Sequence, residues 1–415
     1  MDTAHSHIGT TQAGRDLWLS AAERRQHIAI LGASGSGKST LLEWLAGQDA
    51  ARDDGLLVLD VSGALAEAVL THVPARRNNH VCVLDIGDVD FPVGVNLVED
   101  THPDARAVVA DAVVAAMRSI WHESWGPRLE TILRHSVTAL IETPNASLVL
   151  LPKLLTDTDF RASVVARVSD PFTRNFFTQQ FDHWRDAFRD EAIVSVLNKV
   201  ESFLAFPHIR NILGQGRSTL HLDQAMSRGR IVVVNLNKTQ IGETAARLMG
   251  ALILANIVSK LSLGQGRDFH LLIDEAHNFG GTQAIAVLLQ EARKFSVSCA
   301  IVTQHLAALN EATRAALLGN AHTLCCYRLG PEDAELLAPA FDRAQQAFNP
   351  YTLQHLERGE AIVRIGGDDA NLVRIPVPPS GRGNVAAIKN QSRLHYGVPR
   401  ERVERNISRL LNASQ

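Results

Sequence analysis

No run of this sequence is apolar for long enough to cross a bilayer. The longest, Leu248 to Ile257, falls well short of the roughly 20 residues a spanning helix needs and is soon followed by Lys260. Cysteine is scarce. Of the four, Cys82 and Cys299 sit in apolar strand-like runs and Cys325 and Cys326 are neighbours, so no metal-clamping spacing exists. Buried, reduced thiols of a cytosolic protein are expected. Neither sign of charge dominates: the formal net charge is −3, which gives no support for a broadly basic surface and leaves room only for a local patch. The opening MDTAHSHIGTTQAG has neither an apolar core nor a cleavage site and is no secretory leader. Within it, His5 and His7 are expected to lie on a mobile terminus rather than to bind metal. Internal repeats and low-complexity segments are also missing. What remains is 415 residues of ordinary globular composition, 46% hydrophobic. That is enough core for two or three domains or for one elaborated α/β domain.

The most informative stretch is QHIAILGASGSGKSTLLEWLAG, Gln26 to Gly47. A short apolar run, Ile28 to Leu31, reads as a buried strand. The loop Gly32-Ala33-Ser34-Gly35-Ser36-Gly37-Lys38-Ser39-Thr40 follows, and then a helical pattern with Leu41, Leu42 and Leu45 on one side. Strand, glycine-rich loop and helix in that order are the context a phosphate-binding loop requires. Glycines let successive N–H groups turn inward on phosphate oxygens, and the helix adds its positive end. Lys38 is spaced to reach the β- and γ-phosphates, and the Ser39 hydroxyl to ligate Mg²⁺. A nucleoside triphosphate site follows.

Strand and helix signals then alternate, which argues for a mostly parallel sheet. Leu56 to Leu59 and Val81 to Leu84 read as strands with a helix, Ala64 to Val73, between them. From about Thr101 to Arg228 strand signals vanish. In the segment Arg128 to Glu142, Leu129, Ile132, Leu133, Val137, Leu140 and Ile141 recur at spacings of three and four, one apolar helical face. Strands return at Ile231 to Val234, Phe269 to Ile273, Ser298 to Val302, His322 to Tyr327, Ala361 to Ile365 and Asn371 to Val377. The expected domains are therefore an N-terminal part of the core (1–100), an all-helical insertion (101–228), the C-terminal part of the core (229–380) and a basic helical tail (381–415). On the tail, Val403, Ile407, Leu410 and Leu411 share one face, and Glu401 and Arg405 are spaced for an i,i+4 pair.

Two further positions complete a hydrolytic constellation. The strand Phe269 to Ile273 ends in adjacent carboxylates, Asp274 and Glu275. The first is placed for the Mg²⁺ shell and the second to polarise an attacking water. The next strand ends in Thr303-Gln304-His305, where the Gln304 amide can touch the γ-phosphate and report its presence. Arg293, in Glu291-Ala292-Arg293-Lys294-Phe295, reads alone as a surface arginine, although an arginine supplied in trans can stabilise charge on a transferring phosphoryl group.

These residues, with the blocks FPVGVNL (Phe91 to Leu97), WGPRLE (Trp125 to Glu130), ILGQ (Ile212 to Gln215), LLIDEAHNF, QEARKF and VTQH and the tail SRLHYGVPRERVE, resemble the HerA/FtsK superfamily of hexameric translocases. Within it the chain resembles the conjugative coupling ATPases of the TraD/TraG type from type IV secretion. The resemblance implies an α/β fold, a RecA-like P-loop NTPase core of mostly parallel sheet with helices on both faces and an all-helical insertion. It implies Lys38, Glu275, Arg293 and Gln304 as catalytic residues, Arg293 as the arginine finger, Ser39 and Asp274 on the metal, and ATP with Mg²⁺ as cofactors. It further implies a homohexameric ring with ATP at its interfaces and DNA in its channel, alongside type IV secretion or relaxosome components. Relatives follow the second strand with an acidic–proline–histidine–glycine–acidic run; here it is Asp60-Val61-Ser62-Gly63-Ala64. About 30 residues precede the phosphate loop, so membrane docking is expected to come from partners. Other readings of the same residues are a secretion ATPase acting on protein, a motor paired with a nuclease or antiphage effector, and a nucleotide-gated assembly module with little turnover.

Overall fold

Continuous apolar runs become the buried central strands of one eleven-stranded sheet, in the order β2-β1-β11-β10-β9-β3-β8-β7-β4-β6-β5. The strands are β1 Ser6–Thr11, β2 Asp16–Leu19, β3 His27–Leu31, β4 Gly55–Asp60, β5 Val81–Asp85 and β6 Ile231–Asn235. They continue with β7 Phe269–Ile273, β8 Val297–Thr303, β9 Ala321–Cys326, β10 Glu360–Ile365 and β11 Asn371–Arg374. The structure is a computed structural model and describes residues 5–99, 101–264, 266–279, 283–342 and 347–412. Neighbours from β9 through β3, β8, β7 and β4 to β6 pair in parallel, while β10, β11, β1 and β2 are added antiparallel. Every residue of β3, β4, β6, β7 and β8 is buried. Unbroken Val/Ile/Leu runs serve strands covered on both faces by helices, as in parallel α/β sheets.

The amino terminus differs from expectation. Rather than a mobile tail, Ser6–Thr11 and Asp16–Leu19 form an antiparallel hairpin whose first strand pairs with β11. His7 packs against Trp18 and Trp44, with ring centroids 4.7 and 5.9 Å away. Its carbonyl accepts from Trp44 Nε1 and Gln48 Nε2, and its N–H donates to Gln48 Oε1. The hairpin leads into a capping box in which Ser20 and Glu23 satisfy each other's backbone N–H groups.

Two compact units divide the chain. The first takes the described residues of Met1–Val83, Asp223–Leu236 and Lys260–Ser392. The second takes Leu84–Leu222, Asn237–Ser259 and those of Arg393–Gln415. It therefore gathers, besides most of 101–228, the residues after β5, most of the helix Glu243–Lys260 and the end of the chain. Within it the helix Pro127–Ile141 buries the apolar face read from sequence, Leu129 through Ile141.

Three of the sequence blocks meet inside this second unit. Gln215 Nε2 donates to the Pro92 carbonyl, Asn96 Nδ2 to the carbonyls of Ala146 and Gly216, and Val95 N to Ile212. From the tail, Val398 N donates to Pro92 and Arg400 N to Asp90, while Arg393 pairs with Asp88. FPVGVNL, ILGQ and GVPRE thus satisfy one another's backbone groups, a structural use that unpaired buried amides would otherwise make costly. The tail helix Arg400–Asn412 buries Val403 and Ile407 in the same unit. Its i,i+4 ion pair is Arg400–Glu404 at 2.7 Å.

In the first unit, Asp49 is fully buried between Arg24 and Arg52. Burial pushes its carboxyl up, but Arg24, His270 and Arg52 outweigh this and hold it below the usual range. Asp49→Ala strands the Arg24 guanidinium, itself 3% exposed. Denaturant unfolding is expected to show a loss of about 3–5 kcal/mol.

Candidate active site

The site lies at the carboxyl ends of the parallel strands in the first unit. After β3, the chain turns through Gly32 and runs beneath Tyr327, which follows β9. A Cβ on Gly32 would stand 2.6 Å from Tyr327 Cβ, so only glycine permits this approach. Ala33 N donates to the Arg328 carbonyl and Gly359 N to the Ser36 carbonyl, fastening the loop on both sides. Gly37, at φ +113°, turns the loop into the helix Lys38–Ala51, and no side chain caps that helix start. Its first N–H groups therefore face the loop's concavity, with the dipole's positive end behind them.

Whether an anionic phosphate fits can be judged from the groups present. Ser36 Oγ is buried without a partner, and buried hydroxyls are normally bonded. Lys38 is 6% exposed and spends its ammonium on the Ala33 carbonyl at 2.8 Å, across the loop. Burial lowers its pKa, with Asp274 and Glu275 acting in the opposite direction. A buried cation resting on a neutral carbonyl, beside an unsatisfied hydroxyl and uncapped N–H groups, is a set that an anion completes.

The acids stand opposite. Asp274 follows β7; its Oδ2 accepts from Ser39 Oγ at 3.1 Å and its Oδ1 from Glu275 N at 2.9 Å. Burial first, then the neighbouring Asp60 carboxylate, pushes Asp274 up to about 6. Asp60, at the end of β4, is itself committed to its own loop, accepting from Ser62 N, Ser62 Oγ and Ala66 N. A hydroxyl and a crowded carboxylate at hydrogen-bond distance form a hard oxygen pair suited to Mg²⁺, which would replace the proton that such crowding favours.

Glu275 is half-buried with φ +46°, a left-handed backbone uncommon outside glycine. Its Oε1 accepts from Gln304 Nε2 at 2.9 Å. Lys38, Ser39, Asp274, Glu275 and Gln304 are thus brought together by β3, β7 and β8, with Gly32 to Gly37 as the cradle and Thr40 one residue further into the helix.

Arg293 is not among them. It lies on the turn Ala292–Phe295 before β8, exposed, whereas Gln304 follows that strand. Its charge is felt instead at His27, the first residue of β3, whose imidazole burial and then Arg293 hold down to about 4. Sequence reasoning overlooked Asn278 and Tyr327. Asn278 is three residues from Glu275, the i,i+3 spacing of a tight turn, and Tyr327 follows a strand read to include it.

Residues 16–333 match the family described as the type IV secretion-system coupling protein DNA-binding domain. The chain belongs to this family. Solved structures agree on the fold. The plasmid coupling protein TrwB in complex with the non-hydrolysable GTP analogue GDPNP superposes with a TM-score of 0.66 at 17% identity, covering 91% of this chain and 92% of that one. TrwB in complex with ADP and Mg²⁺ gives 0.65 at 16% identity, covering 91% of each chain. VirB4 of Thermoanaerobacter pseudethanolicus gives 0.60 at 16%, covering 91% of this chain and 98% of that one. No functionally curated protein matches the chain by sequence. The coupling-protein chain carries its phosphate loop and acidic pair on a RecA-like P-loop sheet, mostly parallel with helices on both sides. Among the described residues no helix is long and apolar enough to cross a membrane. All four cysteines are buried and free, and burial pushes the Cys299 and Cys325 thiols up to about 12.

The Asp274 shift has a sign that can be measured. A carboxyl raised to about 6 when folded, against about 3.9 unfolded, costs stability wherever it is charged. In metal-free protein Asp274→Asn is therefore expected to stabilise the fold by up to about 3 kcal/mol above pH 6. The gain shrinks as the pH falls through 6 and is gone near 4. Urea unfolding of both proteins across that range checks it, and an equal difference at every pH contradicts it.

Proposed function

We propose that this coupling-family chain is an Mg²⁺-dependent ATPase whose subunits form a homohexameric ring, hydrolyse ATP at subunit boundaries and move DNA through the central channel. The observation that carries the reading is the separation of Arg293 from the other candidates. β8 is seven residues long, about 20 Å at strand rise, with Gln304 after one end and Arg293 before the other. An exposed arginine at that distance cannot serve its own phosphate loop, but it can serve a neighbour's. The family description, a DNA-binding domain of coupling proteins, supports DNA as the substrate. The TrwB complexes with ADP and Mg²⁺ and with an ATP analogue support the nucleotide and metal.

In this reading bound ATP–Mg²⁺ supplies an electrophilic γ-phosphorus with its charge partly neutralised. Lys38 leaves the Ala33 carbonyl for the phosphate oxygens, and the loop N–H groups hold those oxygens in place. Ser39 and ionised Asp274 hold the metal. Glu275 accepts the proton of the attacking water, Gln304 contacts the terminal phosphate, and Arg293 of the adjoining subunit stabilises the charge that develops. With a formal charge of −3, DNA contacts are expected to be few and confined to the channel, with a shallow salt dependence. Type IV secretion or relaxosome components bring the ring to a membrane.

Steady-state turnover with and without DNA tests this. DNA is expected to stimulate hydrolysis, Lys38→Ala to abolish nucleotide binding, and Arg293→Ala to keep binding while losing roughly a thousandfold in turnover. Stimulation by an unfolded protein but not by DNA points to a protein pump. Wild-type turnover no faster than that of Glu275→Gln points to a nucleotide-gated module.

A further inference from the structure

Asn278 has no part in the steps above, yet it is joined to the proposed base at two points. It is 7% exposed and sits on the turn Ala276–Phe279 directly after the acidic pair. Its Nδ2 donates to the Glu275 carbonyl at 2.9 Å and lies 3.4 Å from Glu275 Oε2. Its backbone N–H donates to the same carbonyl. Gln304 Nε2 meanwhile donates to the other carboxylate oxygen, Oε1. Each oxygen of Glu275 therefore faces a different amide, and the two amides are not equivalent. Gln304 reaches in from the tip of a neighbouring strand, where it can turn toward a phosphate. Asn278 is tied to both ends of Glu275 itself, backbone and side chain, and so moves with it.

A glutamate on a left-handed backbone position is doubly constrained: φ +46° is sparsely populated for this residue, and its three side-chain torsions are costly to fix. A base must nonetheless hold one direction to within a few tenths of an ångström to take a proton efficiently. We propose that Asn278 is the positioning residue that supplies this direction. It pins the carbonyl and Oε2 of Glu275 throughout the cycle, while Gln304 masks Oε1 until a terminal phosphate draws its amide away. The unmasked Oε1 then takes the proton of the attacking water. As it does so, the water oxygen bonds to the γ-phosphorus, and the bond to the β,γ-bridging oxygen breaks with its electron pair leaving on ADP. This inference rests on Glu275 being the base.

Steady-state kinetics and ADP–Mg²⁺ affinity of the full chain, with Glu275→Gln, Asn278→Ala and Asn278→Asp, test it. Turnover of Glu275→Gln at the wild-type rate removes the base reading itself, and the inference with it. With Glu275→Gln inactive, Asn278→Ala is expected to lose about 10- to 100-fold in kcat, with KM and ADP affinity within about twofold of wild type. Asn278→Asp keeps the shape and removes the donor, and it is expected to lose at least as much. It also decides the matter should the alanine variant fold poorly. Asn278→Asp as active as wild type, or a fall in kcat matched by an equal loss of ADP affinity, overturns the positioning role.

Discussion

The direction of β8 is the constraint on which the rest depends. Parallel strands carry their loops of one kind to one edge of the sheet, and ligand sites in such sheets gather beyond the carboxyl ends. The phosphate loop after β3, the acids after β7 and Gln304 after β8 all obey this. Arg293 precedes β8 and so stands at the opposite edge, beside His27. Strand polarity thus parts this arginine from the cluster of Lys38, Ser39, Asp274, Glu275 and Gln304, and on the proposed reading it serves another subunit's site.

Within the site, charge is held in a tension that a ligand relieves. Asp274 is crowded by Asp60 and by burial, and Lys38 is buried against a carbonyl. Neither group has an ideal partner in the bare protein. Mg²⁺ would relieve the first and phosphate the second, so binding energy is drawn from strain already present rather than from new contacts alone. Asp60 acts both on its own loop and on the acid opposite. The Asp60 to Ala64 run keeps its first acid, which anchors the loop through Ser62 and Ala66 while still pressing on Asp274.

Much of this was legible in the sequence because the signals are local. A strand, a glycine-rich turn and a helix start lie within Gln26 to Gly47, and Asp274 and Glu275 end an unbroken apolar run. The buried strands were equally plain, since β3, β4, β6, β7 and β8 are apolar on both faces. The hairpin β1–β2 was not. Its strands are short and half-exposed, and they owe their place to partners far along the chain: Trp44, Gln48 and β11. Asn278 escaped because an asparagine five residues past a strand end looks like any turn former; only the Glu275 carboxylate beside it gives it meaning. The blocks FPVGVNL, ILGQ and GVPRE carried the resemblance, yet their contacts are structural, binding one another across more than a hundred residues.

Catalysis shared between subunits is tested most directly by turnover per subunit measured across a dilution series down to isolated protomers. It predicts that specific turnover collapses as the protomers separate and returns when they are reconcentrated. Turnover by solitary protomers at the undiluted rate contradicts it.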